Sequence, residues 1–298
     1  MKWVRYYQPD HQVSGLFRRA MVITLLGNVL LAGIKIAAAK LSGSSAIYSD
    51  AINSISDVLY SILLIVGLWI SQQPPDMSHP QGHSRFEPLT ALVVTISMTV
   101  AGAEALRASV QRAMEGGAAI PLGFSLLALV ISVLIKTLMY FSVRRISRET
   151  TSPGLAAAAK DNLSDVITSL AALLGIIGSN FISPLLDPLA GVLVAFWIFK
   201  AVYGTAKENF GYLTGAGADE EVRNRILESV KDIPGLENVH HIVTEYAGPK
   251  LVVEMHINVD GNKTLNEAHD ICDKATEKLE ALPEVDRAYV HVEPLGYL

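Results

Sequence analysis

Six long apolar segments fill the first two-thirds of the chain, with short polar stretches between them. A membrane-spanning helix needs about 20 mostly apolar residues, and each segment is of that order. The pattern therefore predicts an all-α six-helix transmembrane domain over residues 1–214. The expected helices cover about residues 20–39, 46–70, 89–106, 121–142, 155–181 and 186–203.

The pattern changes in residues 215–298, which predict a small α+β cytoplasmic domain. Within residues 251–259, apolar and polar side chains alternate from Val253 to Asn258, as in a strand with one buried face. Thr264 followed by Glu267 is typical of a capping box that opens a helix. The order α-β-β-α-β predicts a mostly antiparallel sheet covered by helices. Its elements are expected at residues 219–230, 238–246, 251–259, 264–282 and 285–293.

Charge is unevenly distributed along the chain. Only 18% of all residues are charged, against about 25% in a typical soluble domain. Residues 1–214 hold 16 Lys and Arg and 12 Asp and Glu, a balance of +4, whereas residues 215–298 hold 8 and 17, a balance of −9. Neither part is basic enough to indicate a nucleic-acid partner. The single cysteine, Cys272, excludes a disulfide within the chain and fits a reducing compartment.

Basic residues in the loops predict the orientation in the membrane, because Lys and Arg concentrate on the cytoplasmic side. They gather before the first segment, between the fourth and fifth, and after the sixth. Both termini are therefore expected in the cytoplasm. Arg107 and Arg112, after the third segment, are an exception. The N-terminus lacks the pattern of a cleaved signal peptide.

Carboxylates interrupt the second and fifth segments. Asn53 and Asp57 lie four residues apart, as do Asp161 and Asp165, so each pair shares one helix face. A carboxylate at mid-membrane costs about 2.5–3.5 kcal/mol. The only basic residue in the two segments, Lys160, should point away from Asp165, so neither segment supplies a basic side chain that balances these acids.

A divalent cation held between the two helices would balance them. Asn53, Asp57, Asp161 and Asp165 would then supply four oxygen ligands, while Asp50 is left outside the set because it can reach water near its helix end. Two alternatives stay open for the same residues. The acids could all reach water, or they could form a proton relay without a metal.

Histidines indicate two more candidate metal sites. The loop after the second segment contains Asp76, His79 and His83 within eight residues, although loop histidines are often merely solvated. The cytoplasmic domain contains five histidines. His256 is expected on the polar face of its strand, and His291 and Glu293 share a face of the last strand. Imidazole and carboxylate together suit borderline divalent metals. His241 has no comparable argument.

Together these residues resemble the cation diffusion facilitator family, in its bacterial ferrous-iron, zinc and manganese efflux branch. The resemblance covers nearly the whole chain. It includes the two paired motifs, the loop run from Gly82 through His83 to Glu87, and the Leu186-Asp187-Pro188 start of the sixth helix.

The resemblance implies a homodimeric metal/proton antiporter of the cell (inner) membrane, working by alternating access, with a metallochaperone-like cytoplasmic domain. Divalent metal ions would be substrate and regulator, and no other cofactor is implied. It also implies a binuclear cytoplasmic site, formed by His240, His256, His269, His291 and Glu293. The ion pairs that link protomers in some members are not evident, because Thr214 stands where an acid is expected.

Two departures from the family pattern bear on the substrate. Zinc members usually have histidine at the first position of one or both paired motifs, where this chain has Asn53 and Asp161. An all-oxygen site favours Mn²⁺ over Zn²⁺, which prefers nitrogen and sulfur ligands. We therefore expect Mn²⁺ first, then Fe²⁺, Co²⁺, Cd²⁺ and Zn²⁺. Glu293, where relatives often have Asp, is the milder departure.

Two other classes of protein compete with a transporter. A membrane-anchored metal sensor would use its helices only as anchors and would not need carboxylates inside the bilayer. An intramembrane hydrolase is disfavoured because its usual motifs, such as His-Glu-x-x-His, are missing from the sequence. We therefore do not expect an enzyme.

Overall fold

The structure is a computed structural model and describes residue 4 and residues 11–42, 45–116 and 124–296. The chain divides into two compact units, residues 1–209 and residues 210–298. Each unit has its own buried core.

The first unit consists of long helices. α1 packs against α2 and α4, α3 packs against α2 and α5, and α4 packs against α5. Within the described residues, five of them, α1, α2, α3, α5 and α6, are long and apolar enough to cross a membrane. The count of six spans therefore stays a prediction. The helices are α1 (His11–Ser42), α2 (Ser45–Ser71), α3 (Phe86–Met114), α4 (Phe124–Thr150), α5 (Pro153–Phe181) and α6 (Leu186–Leu213).

Many large apolar side chains on these helices face outward. Leu26, Trp69, Phe141 and Leu193 are each at least 60% exposed. A water-soluble protein rarely exposes so much apolar surface, but a lipid-facing surface requires it. The outward faces therefore fit a bilayer.

Small residues allow the helices to approach closely. Ala157, Ala158 and Ala159 of α5 are buried against the bundle core. A side chain at Gly67 of α2 would collide with Thr90 of α3. Close backbone approach through small residues is the usual way membrane helices pack, because lipid supplies no hydrophobic drive between them.

Arg112, one of the two exceptions to the charge pattern, has an ion-pair partner. Its Nη1 lies 2.9 Å from Oδ2 of Asp187, at the start of α6. Asp187 is only 10% exposed at its side chain, while Arg112 is 54% exposed. The pair links the end of α3 to the start of α6 and balances the charge of Arg112 locally.

The second unit has the predicted α-β-β-α-β order. Its described elements are α7 (Glu220–Val230), β1 (Asn238–Tyr246), β2 (Leu251–Val259), α8 (Leu265–Glu280) and β3 (Val285–Pro294). Asp219 caps α7, and Thr264 and Glu267 form the expected capping box of α8. Leu251, Met255 and Ile257 are fully buried on the inner face of β2.

The sheet differs from the mostly antiparallel sheet expected. Its strand order is β1-β2-β3; β1 and β2 are antiparallel, but β2 and β3 are parallel. The physical reason is α8, which packs against β3. A helical connection carries the chain back along the sheet before the next strand begins, so that strand runs parallel to the one before the helix.

Candidate metal-binding sites

Three of the four predicted transport residues surround one cavity in the first unit. Asp57 of α2 and Asp161 and Asp165 of α5 line a cavity of about 310 Å³, together with residues of α3 and α6. The i, i+4 spacing on α5 places Asp161 and Asp165 on the same side of the helix. The side chain of Asn53 lies outside the described part of the structure. The carboxylates of Asp57, Asp161 and Asp165 therefore form a shared acidic centre.

A lysine from a third helix lies against this centre. Lys136 of α4 places Nζ 2.6 Å from Oδ2 of Asp165 and 3.6 Å from Oδ2 of Asp57. It is only 4% exposed. A basic side chain that partly balances these acids is thus supplied by α4, outside the two segments whose basic residues were weighed in the sequence. The signal was available in the sequence, since a lone lysine in an apolar helix requires a buried partner.

Polar side chains continue the acidic centre toward α1. A smaller cavity beside it is lined by Asn28, Asp57 and Asp161, among others. Asn28 Nδ2 donates to Ser61 Oγ at 2.7 Å, and that hydroxyl donates to the carbonyl oxygen of Asp57 at the same distance. Asn28 Oδ1 is buried and accepts no hydrogen bond from the described residues. It is a further oxygen near the centre that the motif pattern does not indicate.

The loop between α2 and α3 brings Asp76, His79 and His83 together. Their candidate ligand atoms all lie within 4.8 Å of one another. Asp76 Oδ1 accepts hydrogen bonds from the backbone N–H groups of His79 at 2.6 Å and Ser78 at 2.9 Å. These hydrogen bonds, of which the one from His79 has the larger effect, lower the pKa of Asp76 and keep its carboxylate ionised. An ionised carboxylate beside two imidazoles is a suitable donor set for a divalent metal.

The second unit gathers histidines around Glu293. Its carboxylate lies 3.1 Å from His240 Nε2, 3.4 Å from His256 Nδ1 and 3.5 Å from His291 Nε2. His240, His256 and Glu293 each place a candidate ligand atom within 4.8 Å of the other two. The parallel pairing of His256 with His291 places both on one sheet face. This juxtaposition depends on the direction of β3.

A hydrogen bond orients one of these imidazoles. His240 Nδ1 lies 2.9 Å from Asn258 Oδ1. If Nδ1 carries the proton and donates to this amide oxygen, Nε2 is left as an electron-pair donor toward Glu293 and any metal beside it. Such outer contacts commonly fix the tautomer of metal-binding histidines.

Two other histidines differ from expectation. His269, on α8, lies 3.2 Å from Asp273 Oδ2 and is 69% exposed, and it does not join the cluster within this chain. His241, which had no argument from sequence, lies close to the cluster, with its ring 4.9 Å from that of His256. The position of His241 beside the cluster follows from the register shift between Val239 and His241, because a bulge changes which sheet face the neighbouring residues occupy.

Comparisons with known proteins agree with this architecture. Residues 21–214 match the cation efflux transmembrane domain family, and residues 218–295 match the cation efflux protein cytoplasmic domain family. An uncharacterized transporter of Methanocaldococcus jannaschii is 33% identical over 279 residues, which cover 92% of this chain and 97% of that one.

Two further relatives have more specific names. The manganese efflux system protein MneS of Bacillus subtilis is 26% identical, covering 92% of this chain and 94% of its own. The magnetosome protein MamM of Paramagnetospirillum magneticum is 32% identical, covering 84% and 80%. A solved MamM-CTD structure is 28% identical and covers 26% of this chain and 98% of its own, with a TM-score of 0.25.

The multi-helix apolar unit and the small α+β unit thus each match a domain family of cation efflux proteins. The chain belongs to the cation diffusion facilitator family. It is a multi-pass membrane protein that exports divalent metal cations, and its second unit is of the family's dimerisation type.

Proposed function

We propose that this protein exports Mn²⁺ from the cytoplasm across the cell membrane in exchange for protons, with both termini cytoplasmic. The observation that carries the proposal is the acidic centre, where Asp57, Asp161 and Asp165 offer only oxygen atoms around one cavity. Oxygen ligands suit Mn²⁺ better than Zn²⁺. The similarity to MneS, a manganese efflux system protein, gives independent support. Fe²⁺, Co²⁺, Cd²⁺ and Zn²⁺ are the alternative substrates.

The transport step follows from the charge of the centre. Mn²⁺ enters from the cytoplasm and binds the three carboxylates together with Asn53. Because metal ligands must be deprotonated, metal binding and proton release are linked. The helix unit then opens outward, and protons from outside replace the metal. Exchange at a single site gives antiport without a second coupling site.

Metal uptake into proteoliposomes tests the substrate and the site together. Purified protein would be reconstituted with a pH gradient and offered Mn²⁺, Fe²⁺, Co²⁺, Cd²⁺ and Zn²⁺. We expect the highest rate for Mn²⁺ and loss of all transport in Asp57→Ala. Asp161→His should shift preference toward Zn²⁺, because it introduces a nitrogen ligand. Glu208→Gln serves as the control, because it removes one carboxylate charge from a half-exposed position on α6. The protein with this change should transport Mn²⁺ at the normal rate.

Two results would contradict the proposal. If the wild-type protein transports Zn²⁺ fastest, the argument from ligand type fails. If Asp57→Ala still transports, the carboxylates are not the transport site. Asp57→Ala also separates export from a membrane-anchored sensor, which should work without that carboxylate.

The histidine cluster of the cytoplasmic unit is proposed as a regulatory site. We propose that metal binds His240, His256, His291 and Glu293 when its cytoplasmic concentration rises, and that occupancy tightens a homodimer. His269 stays a proposed ligand that would have to come from elsewhere in the assembly or from a rearranged α8. This site contains imidazoles and the transport centre does not, so the two should rank metals differently.

The loop cluster is proposed as a third, weaker site. Asp76 is ionised and fixed by two backbone hydrogen bonds, which favours metal capture over a freely rotating side chain. Asp76→Asn should lower metal binding by the loop while leaving the two backbone hydrogen bonds possible. Unchanged metal stoichiometry in this variant would exclude the loop as a site.

A further inference from the structure

The acidic centre already contains a cation that belongs to the protein. Lys136 is the only buried lysine or arginine among the described residues of the first unit, and its ammonium group lies between carboxylates from two helices. It approaches Asp165 Oδ2 at 2.6 Å and Asp57 Oδ2 at 3.6 Å. Both carboxylates belong to the proposed transport site.

The ammonium group and a metal ion compete for the same oxygens. Divalent cations bind carboxylate oxygens at about 2.0–2.6 Å, which is the space Lys136 Nζ now occupies beside Asp165. Two cations this close would repel each other strongly in a site removed from water. A metal that binds Asp57 and Asp165 through these atoms must therefore displace Nζ.

We propose that Lys136 is a tethered competitor of the transported metal: it fills the acidic centre when the centre is empty and leaves when metal binds. The four-carbon stem of lysine is flexible enough for such a movement. The inference rests on the proposed transport site and assigns to α4 a residue that sets metal affinity and selectivity. It requires no change in the protonation of Lys136.

The role explains two needs of an exporter. An empty centre of three carboxylates would be costly in the bilayer. During the return step the ammonium group offsets one of these charges, and the protons that replace the metal neutralise the others. Competition also weakens metal binding, so a metal can leave on the outer side. It should discriminate against monovalent ions, because a single charge gains less than a double charge from displacing the ammonium group.

Equilibrium binding of Mn²⁺ to the full-length protein in detergent tests the proposal. The chain would carry His256→Ala and Asp76→Asn, which weaken the other two candidate sites. Measurements at pH 8 minimise competition from protons. We expect Lys136→Gln to bind Mn²⁺ about tenfold or more tightly than the parent, since close charge pairs couple by at least that much. Lys136→Arg should stay close to the parent.

A matched control and a rescue distinguish competition from a structural role. Lys200→Gln removes the same charge from an exposed position on α6 and should leave affinity unchanged. In Lys136→Ala, added methylammonium should occupy the vacated position and weaken Mn²⁺ binding, whereas it should have no effect on the parent. A purely structural lysine would give weaker binding in Lys136→Gln and no effect of methylammonium.

Chemical labelling of lysine amines in the protein that retains Lys136 tests the same proposal if the Lys136 variants do not fold. Mn²⁺ should increase amine labelling of Lys136 severalfold and leave labelling of Lys200 unchanged. If Lys136→Gln is folded and binds Mn²⁺ no more tightly, or if labelling does not rise, the tethered-competitor role is wrong. If the parent chain shows no Mn²⁺ binding that Asp57→Ala removes, the proposed transport site itself is wrong.

Discussion

Replacing Glu293 by Gln tests the cytoplasmic metal site most directly. Among the described residues, Glu293 is the one in contact with three imidazoles of the cluster, at 3.1, 3.4 and 3.5 Å, and its side chain is 20% exposed. Gln has the same shape but no charge. The change therefore removes the carboxylate charge from the centre while leaving the histidines in place.

The size of the effect follows from the charge removed. A carboxylate oxygen about 2.2 Å from a divalent ion contributes ~4 kcal/mol by Coulomb's law, even at the dielectric constant of water. The amide oxygen of Gln keeps part of this as a dipole, so we expect a loss of about 2–3 kcal/mol, or about 30- to 150-fold in metal affinity. Because Glu293 is partly buried, the effective dielectric constant around it is lower than that of water, and the Coulomb energy calculated for water is a lower bound.

Isothermal titration of the full-length protein with Mn²⁺ and Zn²⁺ would measure this loss. The experiment needs an Asp57→Ala background so that the transport site does not contribute. Glu237→Gln, at an exposed carboxylate just before β1, removes the same charge outside the cluster and should bind normally. If Glu293→Gln binds within about threefold of its parent, well under 1 kcal/mol, Glu293 is not a ligand.

Three further predictions concern stability. Thr264→Ala removes the cap of α8 and should cost about 1 kcal/mol, seen as a lower midpoint in thermal unfolding of the cytoplasmic unit, and an unchanged midpoint would exclude the capping role. Hydrogen bonds from Thr264, mainly from its backbone N–H and then from its hydroxyl, lower the pKa of Glu267. The contribution of Glu267 to folding stability is therefore complete above the ordinary Glu pKa of about 4.3, and it is lost as pH falls through the lower pKa of the folded protein. Glu267→Gln should therefore flatten the acid limb of an unfolding curve, and an unaltered limb would contradict this. Arg112→Gln leaves the mostly buried Asp187 without its partner and should lower the unfolding temperature, whereas adding Asp187→Asn should restore part of it; no recovery would show that the pair is not coupled.

The element pattern could be predicted from sequence because it depends on local chemistry. The alternation along β2 reflects one buried sheet face and one that is more accessible, and the Thr264–Glu267 box depends on a spacing of three residues. The paired acids on α5 were visible for the same reason, since an i, i+4 spacing fixes a shared helix face.

The tertiary structure decided which distant side chains meet. The parallel direction of β3 places His291 beside His256, and the bulge in β1 moves His241 toward the same cluster. Neither follows from the periodicity of a single strand, because strand direction depends on the connection and its packing. Lys136 was visible as a charge in an apolar helix, but only the packing of α4 against α5 brings it to Asp165. Sequence thus determined which residues required partners, and the fold determined which partners they obtained.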